Sequence, residues 1–129
     1  MQKSSAISIK DGFNKVKCLE NRTPESSNQQ MQDAFIKLTD FDKSVIYLTN
    51  YSGFSEWERH PAGDELVHVI EGETTLILLN DGIESKNKLM SGEFLVVPQG
   101  VWHRFESPKG LKVLTITPPP TDHSIVKPE

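Results

Sequence analysis

From Ser44 to Thr117 the chain is cut into short pieces by turn-forming residues, and only strand-length segments fit between the cuts. The cuts fall at Pro61-Ala62-Gly63-Asp64, Glu71-Gly72, Asn80-Asp81-Gly82, Ser91-Gly92, Pro98-Gln99-Gly100 and Pro108-Lys109-Gly110. Glycine supplies positive φ, proline presets its own φ, and Asn or Asp closes a turn through its side chain, so each cluster interrupts a helix and permits a reversal. Between the cuts the apolar period is two, and segments such as VIYLTNY are dense in β-branched and aromatic side chains. Strands are expected at 44–51, 55–60, 65–71, 73–79, 84–89, 94–97, 102–106 and 111–117. So many short strands in one segment predict an all-β sandwich or barrel, a jelly roll being a standard way to bury both inner faces.

The flanks read differently. Residues 1–43 form an arm. Ile7 and Ile9 give residues 1–10 a weak alternation that suits a frayed end or an edge strand. Asp11-Gly12 suits a turn, and Asn21 to Asn28 reads as a loop of turn formers and caps. Met31, Ala34, Phe35 and Leu38 then stand at i, i+3, i+4 and i+7 with Ser27 or Asn28 as N-cap, predicting a short amphipathic helix over 28–38. The barrel is assigned to 44–118. Prolines at 118–120 remove the N–H donors that a central strand needs, leaving 119–129 as a tail.

A chain of 129 residues, 36% hydrophobic, matches one domain with an adequate core. Its formal net charge of -4 offers no basic field, so nucleic acid is not an expected partner, and no segment is left over for a helix-turn-helix. No apolar run approaches the roughly 20 residues of a membrane-spanning helix, so no membrane partner is expected. The start MQKSSAISIK lacks the apolar core of a signal peptide, and the single Cys18 has no partner within the chain. A cytoplasmic protein is the expectation.

Chemistry concentrates in WERHPAGDELVHVIEG, residues 57–72. Residues two apart on a strand share a face, so Glu58 and His60 point one way and Trp57 and Arg59 the other. After the turn at 61–64, Glu65 begins the return strand close to His60. A second stretch, GEFLVVPQGVWH, carries an apolar strand and a Pro-x-Gly turn to His103, which supplies a fourth ligand. Two glutamates and two neutral imidazoles carry two negative charges, which a divalent ion neutralises. Mixed nitrogen and oxygen ligands suit Fe²⁺, Mn²⁺, Ni²⁺, Zn²⁺ or Cu²⁺ without choosing among them.

These two stretches resemble the paired motifs of the cupin superfamily, small β-barrels of jelly-roll type. The first motif there is two histidines one residue apart, then a glutamate and a glycine; here it maps onto Glu58, His60, Glu65 and Gly72, with glutamate in the first histidine's place. The second maps onto Gly92, Pro98, Gly100 and His103, with Ser107 where an asparagine is frequent. The resemblance implies a cupin-type barrel with a divalent metal held by Glu58, His60, Glu65 and His103. It further implies that Glu58 or Glu65, if released, acts as acid or base, and that the protein forms a homodimer through the amino-terminal arm or the strand Ser44 to Tyr51. The implied activity is dioxygenase- or isomerase-like, on a small organic molecule; the alternative is a non-catalytic cupin that binds a small ligand or metal as sensor or accessory.

Among the remaining residues, Tyr47, Thr49 and Tyr51 share one strand face and are expected to line the cavity, with Val67 and Phe105 as apolar neighbours. Strict alternation turns His68 away from the site. His123 is expected to be solvated in the tail, and Cys18 to be an inert, buried or half-exposed thiol. Trp57, Trp102, Arg59 and Arg104 should face away from the pocket, in packing or surface roles.

Overall fold

The computed structural model describes residues 4–129. In chain order the elements are α1 (Ile9–Phe13), β1 (Leu19–Arg22), α2 (Asn28–Met31), β2 (Phe35–Phe41), β3 (Ser44–Phe54) and β4 (Trp57–Arg59). Then follow β5 (Glu65–Asn80), β6 (Ile83–Met90), β7 (Phe94–Val97), β8 (Trp102–Thr117) and β9 (Asp122–Ser124). The strands form one sheet that folds on itself as a cupin-type jelly roll without closing through a continuous ring of hydrogen bonds. No helix among the described residues is long and apolar enough to cross a membrane.

The organising strand is β8. Its second half lies between β3 and β5, with Leu114 opposite both Leu48 and His68; its first half lies between β4 and β5, with His103 opposite both Glu58 and Leu78. Alternation sorts its side chains. One face contributes Phe105, Leu111 and Val113 to the interior core with Tyr51, Val67, Val69, Leu76, Leu78, Leu89 and Val97. The other face carries two smaller clusters. Phe13 and Val16 from the arm cover Leu48 and Leu114, and Trp57 packs with Ile77, Leu79 and Trp102. Gly12 lets α1 settle closely on the sheet, because a Cβ there would meet Leu48 Cδ1 at 2.6 Å.

Several expectations change here. The strands expected at 65–71 and 73–79 are one bent strand, β5, and those at 102–106 and 111–117 are one bent strand, β8. Gly72 and Gly110 are therefore bends with register shifts rather than reversals. Gly72 has φ +84, and a Cβ on it would run into the Gly110 carbonyl oxygen, so only glycine lets the two bends lie together. The helix expected over 28–38 stops after Met31. Ser27 and Gln30 close a capping box, but from Phe35 the backbone pairs with β3 through a two-residue turn at Asp42-Lys43, Asp42 having φ +54. A ladder along an apolar, β-branched neighbour satisfies more backbone groups than a lone three-turn helix.

In the arm, Ile9 begins a helix capped by Ser8 rather than an edge strand, and the expected turn at Asp11-Gly12 lies inside that helix; residues 1–3 of the expected strand lie outside the described residues. The stretch expected as a loop from Asn21 begins as β1, parallel to β3. With β1 and β2 on one side and β8 on the other, Ser44 to Tyr51 is interior and offers no free edge to a second copy. The tail is not free either: β9 pairs with β4, placing His123 opposite Glu58.

Candidate metal centre and its cavity

His60 follows β4, Glu65 opens β5, and His103 is the second residue of β8. Their elements converge because two turns are tied together. Gln99 N–H donates to Asp64 Oδ1 (2.8 Å), Gln99 Nε2 to the Pro61 carbonyl (2.7 Å), and Gly100 N–H to the His60 carbonyl (3.0 Å). The turn at 61–64 is thereby fastened to the one at 98–100. The result is a cluster in which one ligand atom each from His60, Glu65 and His103 lies within 4.8 Å of the others. All three side chains are buried.

The cluster demands a cation. The Val101 carbonyl can only accept, so His103 Nδ1, 2.9 Å away, carries the ring proton. In a neutral ring Nε2 then presents a lone pair to Glu65 Oε1 at 3.1 Å, acceptor against acceptor. His60 is placed alike, but against a hydroxyl that can either donate or accept. Its Nδ1 exchanges a hydrogen bond with Thr121 Oγ1 (2.9 Å), while its buried Nε2 stands 3.1 Å from Glu65 Oε2 with no well-formed hydrogen bond among the described residues. Thr117 Oγ1 donates to the same Glu65 oxygen at 2.6 Å and fixes the carboxylate. A proton or a metal ion between rings and carboxylate resolves this arrangement, and outer hydrogen bonds that set the ring tautomers are what a metal site requires. The residues fit a divalent ion, its identity open.

The electrostatics agree. Burial pushes the Glu65 carboxyl up, but once the rings carry protons their hydrogen bonding and charge, from His103 and His60, outweigh it and bring the pKa to about 2. Burial likewise pushes the His103 ring down, and the Glu65 hydrogen bond and the charges of Glu65 and Glu58 more than reverse it, leaving it raised. Glu58 behaves in the opposite sense to Glu65. Burial first, then the Glu65 charge, push its carboxyl above the usual range.

Glu58 also stands apart in space. The structure brings together three of the four expected ligands; the Glu58 carboxylate lies outside the close group and lines the adjoining cavity. Its strand pairs directly with β8 at His103, so it takes its place beside the cluster instead of across from it. The cavity measures about 300 Å³, at the small end of ligand pockets. Tyr47, Thr49, Tyr51 and Phe105 line it, as does Glu65. Val67 does not: it is fully buried in the interior core.

Outside the pocket, Trp57 and Trp102 pack on the opposite face, with Arg104 over the Trp57 ring (5.6 Å) and Arg59 over the Trp102 ring (4.7 Å). His68 is half-buried against Phe94, with ring centroids 6.3 Å apart. Cys18 is exposed, two residues past Val16, the side chain that holds this segment to the core. His123 lies at the cavity wall with Nδ1 2.9 Å from Glu56 Oε1, since β9 anchors it. Sequence reasoning missed Thr117, Thr121, Arg22 and Glu56. Thr117 was the accessible one, because it continues the inward parity of Leu111, Val113 and Thr115 to the end of β8.

A small jelly roll with a buried cluster of two histidines and one carboxylate beside a cavity is the class this fold and site define. The chain belongs to the cupin domain family: the Cupin_2 family model matches residues 49–117. It is 38% identical over 52 residues to acireductone dioxygenase of Rhodopseudomonas palustris strain TIE-1, a match covering 40% of this chain and 31% of that protein. The chain thus spans about a third of the length of that relative. Among solved structures it is similar to a cupin-2 domain containing protein from Shewanella frigidimarina (TM-score 0.63, 24% identity, 88% of this chain and 94% of that one). It is also similar to protein NMB1881 from Neisseria meningitidis (TM-score 0.64, 23% identity, 89% and 100%).

Proposed function

We propose that this cupin is a divalent-metal enzyme acting on a small organic molecule in the cavity, by dioxygenase- or isomerase-like chemistry. The observation that carries the reading is the buried group of His60, Glu65 and His103, with the His103 lone pair set against Glu65, next to a cavity large enough for a small molecule. The stretch shared with an acireductone dioxygenase supports the oxygenase side of it. A bound divalent ion would supply Lewis-acid polarisation of a substrate carbonyl or enolate oxygen.

The chain's own residues divide the remaining work. Val101 and Thr121 hold the rings, and Thr117 holds the Glu65 carboxylate, so these three ligands stay fixed while the substrate moves in. Glu65 would hold the ion together with His60 and His103. Glu58 is the carboxyl left over at the cavity wall, placed to give or take a proton on the substrate. Elemental analysis of protein purified without a histidine tag, beside the His60→Ala/His103→Ala double variant, tests the reading. Near-stoichiometric metal in the wild type and its loss in the variant are expected. Wild type that takes up no metal under any of several supplementation conditions overturns the proposal, and a substrate screen on the loaded protein separates turnover from mere binding.

A further inference from the structure

The arm delivers one cation to the cavity, and among the described residues no carboxylate forms an ion pair with it. Asn21, at φ +58, turns the chain, and its N–H donates to Ser52 Oγ (3.0 Å). Arg22 then pairs with Gly53, where a Cβ would collide with the Arg22 backbone, so β1 reaches β3 only because that position is glycine. The guanidinium lies over the Tyr51 ring, Cζ 4.6 Å from the centroid, and lines the cavity. Among the described residues no carboxylate oxygen comes within 4.0 Å of it. The cavity's acids are placed otherwise: Glu65 is held by the histidines and Thr117, Glu56 by His123, and Glu58, which feels the Arg22 charge without forming an ion pair with it, is pushed toward its neutral form by burial and by the Glu65 charge.

Directly beneath that cation is a second unmet group. Tyr51 is 1% exposed, its hydroxyl has Ser107 and Arg22 nearby but makes no well-formed hydrogen bond among the described residues, and the residue lines the cavity. Burial pushes its pKa up to about 12, so the hydroxyl remains a donor. A buried donor without an acceptor is costly to keep, and a guanidinium stacked on a ring is restrained with its edge free for a planar anion. Phe35, Met31 and Val113 give the cavity an apolar wall beside these two donors.

We propose that Arg22 and Tyr51 form a carboxylate-binding subsite, so that the ligand of this cavity is a small organic acid with an apolar body. The inference shares with the proposed function only the premise that the cavity is the ligand site. Its test uses benzoate and its neutral isostere benzamide, titrated calorimetrically into the full chain, both stripped with chelator and loaded with Ni²⁺. Benzoate should bind the metal-free wild type more tightly than benzamide. Arg22→Gln should weaken benzoate about 10- to 100-fold and Arg22→Lys less, with benzamide unchanged. Tyr51→Phe should weaken benzoate about tenfold while Tm holds or rises, because it removes only an unpaired hydroxyl; a fall in benzoate affinity that merely tracks a fall in Tm counts against the subsite. No preference for benzoate in either form, or a preference that Arg22→Gln leaves intact, overturns it. A preference seen only with Ni²⁺ and lost only in the His60→Ala/His103→Ala variant puts the carboxylate on the metal, overturning the subsite and leaving the metal reading standing. A preference that depends on Arg22 in protein that takes up no metal does the reverse.

Discussion

Glu58 and Glu65 are the same residue type, seven positions apart, and their surroundings drive them in opposite directions. Glu65 is ionised by the two rings beside it; Glu58 is held toward its neutral form by burial and by the Glu65 charge. Glu58→Gln should therefore keep the metal content of the wild type, measured by elemental analysis, while lowering turnover about 10²- to 10⁴-fold once a substrate is found, the range for losing a general acid or base. Loss of metal in that variant returns Glu58 to the ligand set. The sequence made His60, Glu65 and His103 legible because each sits at a fixed offset from a turn, and turns are local. It hid Thr121 and Arg22, whose positions depend on a tail strand and an arm strand that pair across long stretches of chain. It also assigned Glu58 by face alone: parity tells which way a side chain points and says nothing of its distance from an ion.

At the scale of elements, apolar periodicity gave the strands but misjudged how they join. A glycine between two apolar runs reads equally as a reversal or as a bend, and only the partner strand decides; here the bends at Gly72 and Gly110 face each other and keep β5 and β8 continuous. Two glycines with similar φ make this testable. Gly72→Ala should cost about 2–4 kcal/mol, from left-handed strain plus collision with the Gly110 carbonyl, whereas Gly82→Ala, with open space around it, should cost about 1 kcal/mol from φ alone. Urea unfolding midpoints measure both, and equal losses contradict the facing-bend geometry. The 28–38 stretch shows the converse limit. Met31, Ala34, Phe35 and Leu38 satisfy a helical period, yet Phe35 to Phe41 also alternates as a strand, and the neighbouring β3 decides between them.

The whole molecule should carry the signature of its cluster in the way its stability depends on pH. In metal-free protein Glu65 has its pKa lowered from 4.5 to about 2, so its contribution is full above the unfolded value and is lost as pH falls from about 4.5 toward 2. His103 is raised above 6.5, so its contribution is full below that value and is lost as pH rises through its folded pKa. Glu58, raised above 4.5, also loses its contribution as pH rises above that value, so chelator-treated protein should be most stable near pH 4.5, with Tm declining on both sides. Metal-loaded protein should keep its stability on the alkaline side, where an ion takes the place of the proton on His103. A flat alkaline limb without metal would contradict the His103–Glu65 pairing.

The hydrogen bonds from Gln99 and Gly100 to the 61–64 turn and to His60 have a consequence for supply. They set the ligand positions from protein groups alone, so the pocket is a template cut before any ion arrives. A preset site of two imidazoles and one carboxylate suits several first-row divalent ions and leaves the choice among them to metal supply. The ion carried by protein from an overproducing culture will then record the growth medium, and the ion that works in the cell will be set by which metals that cell keeps scarce.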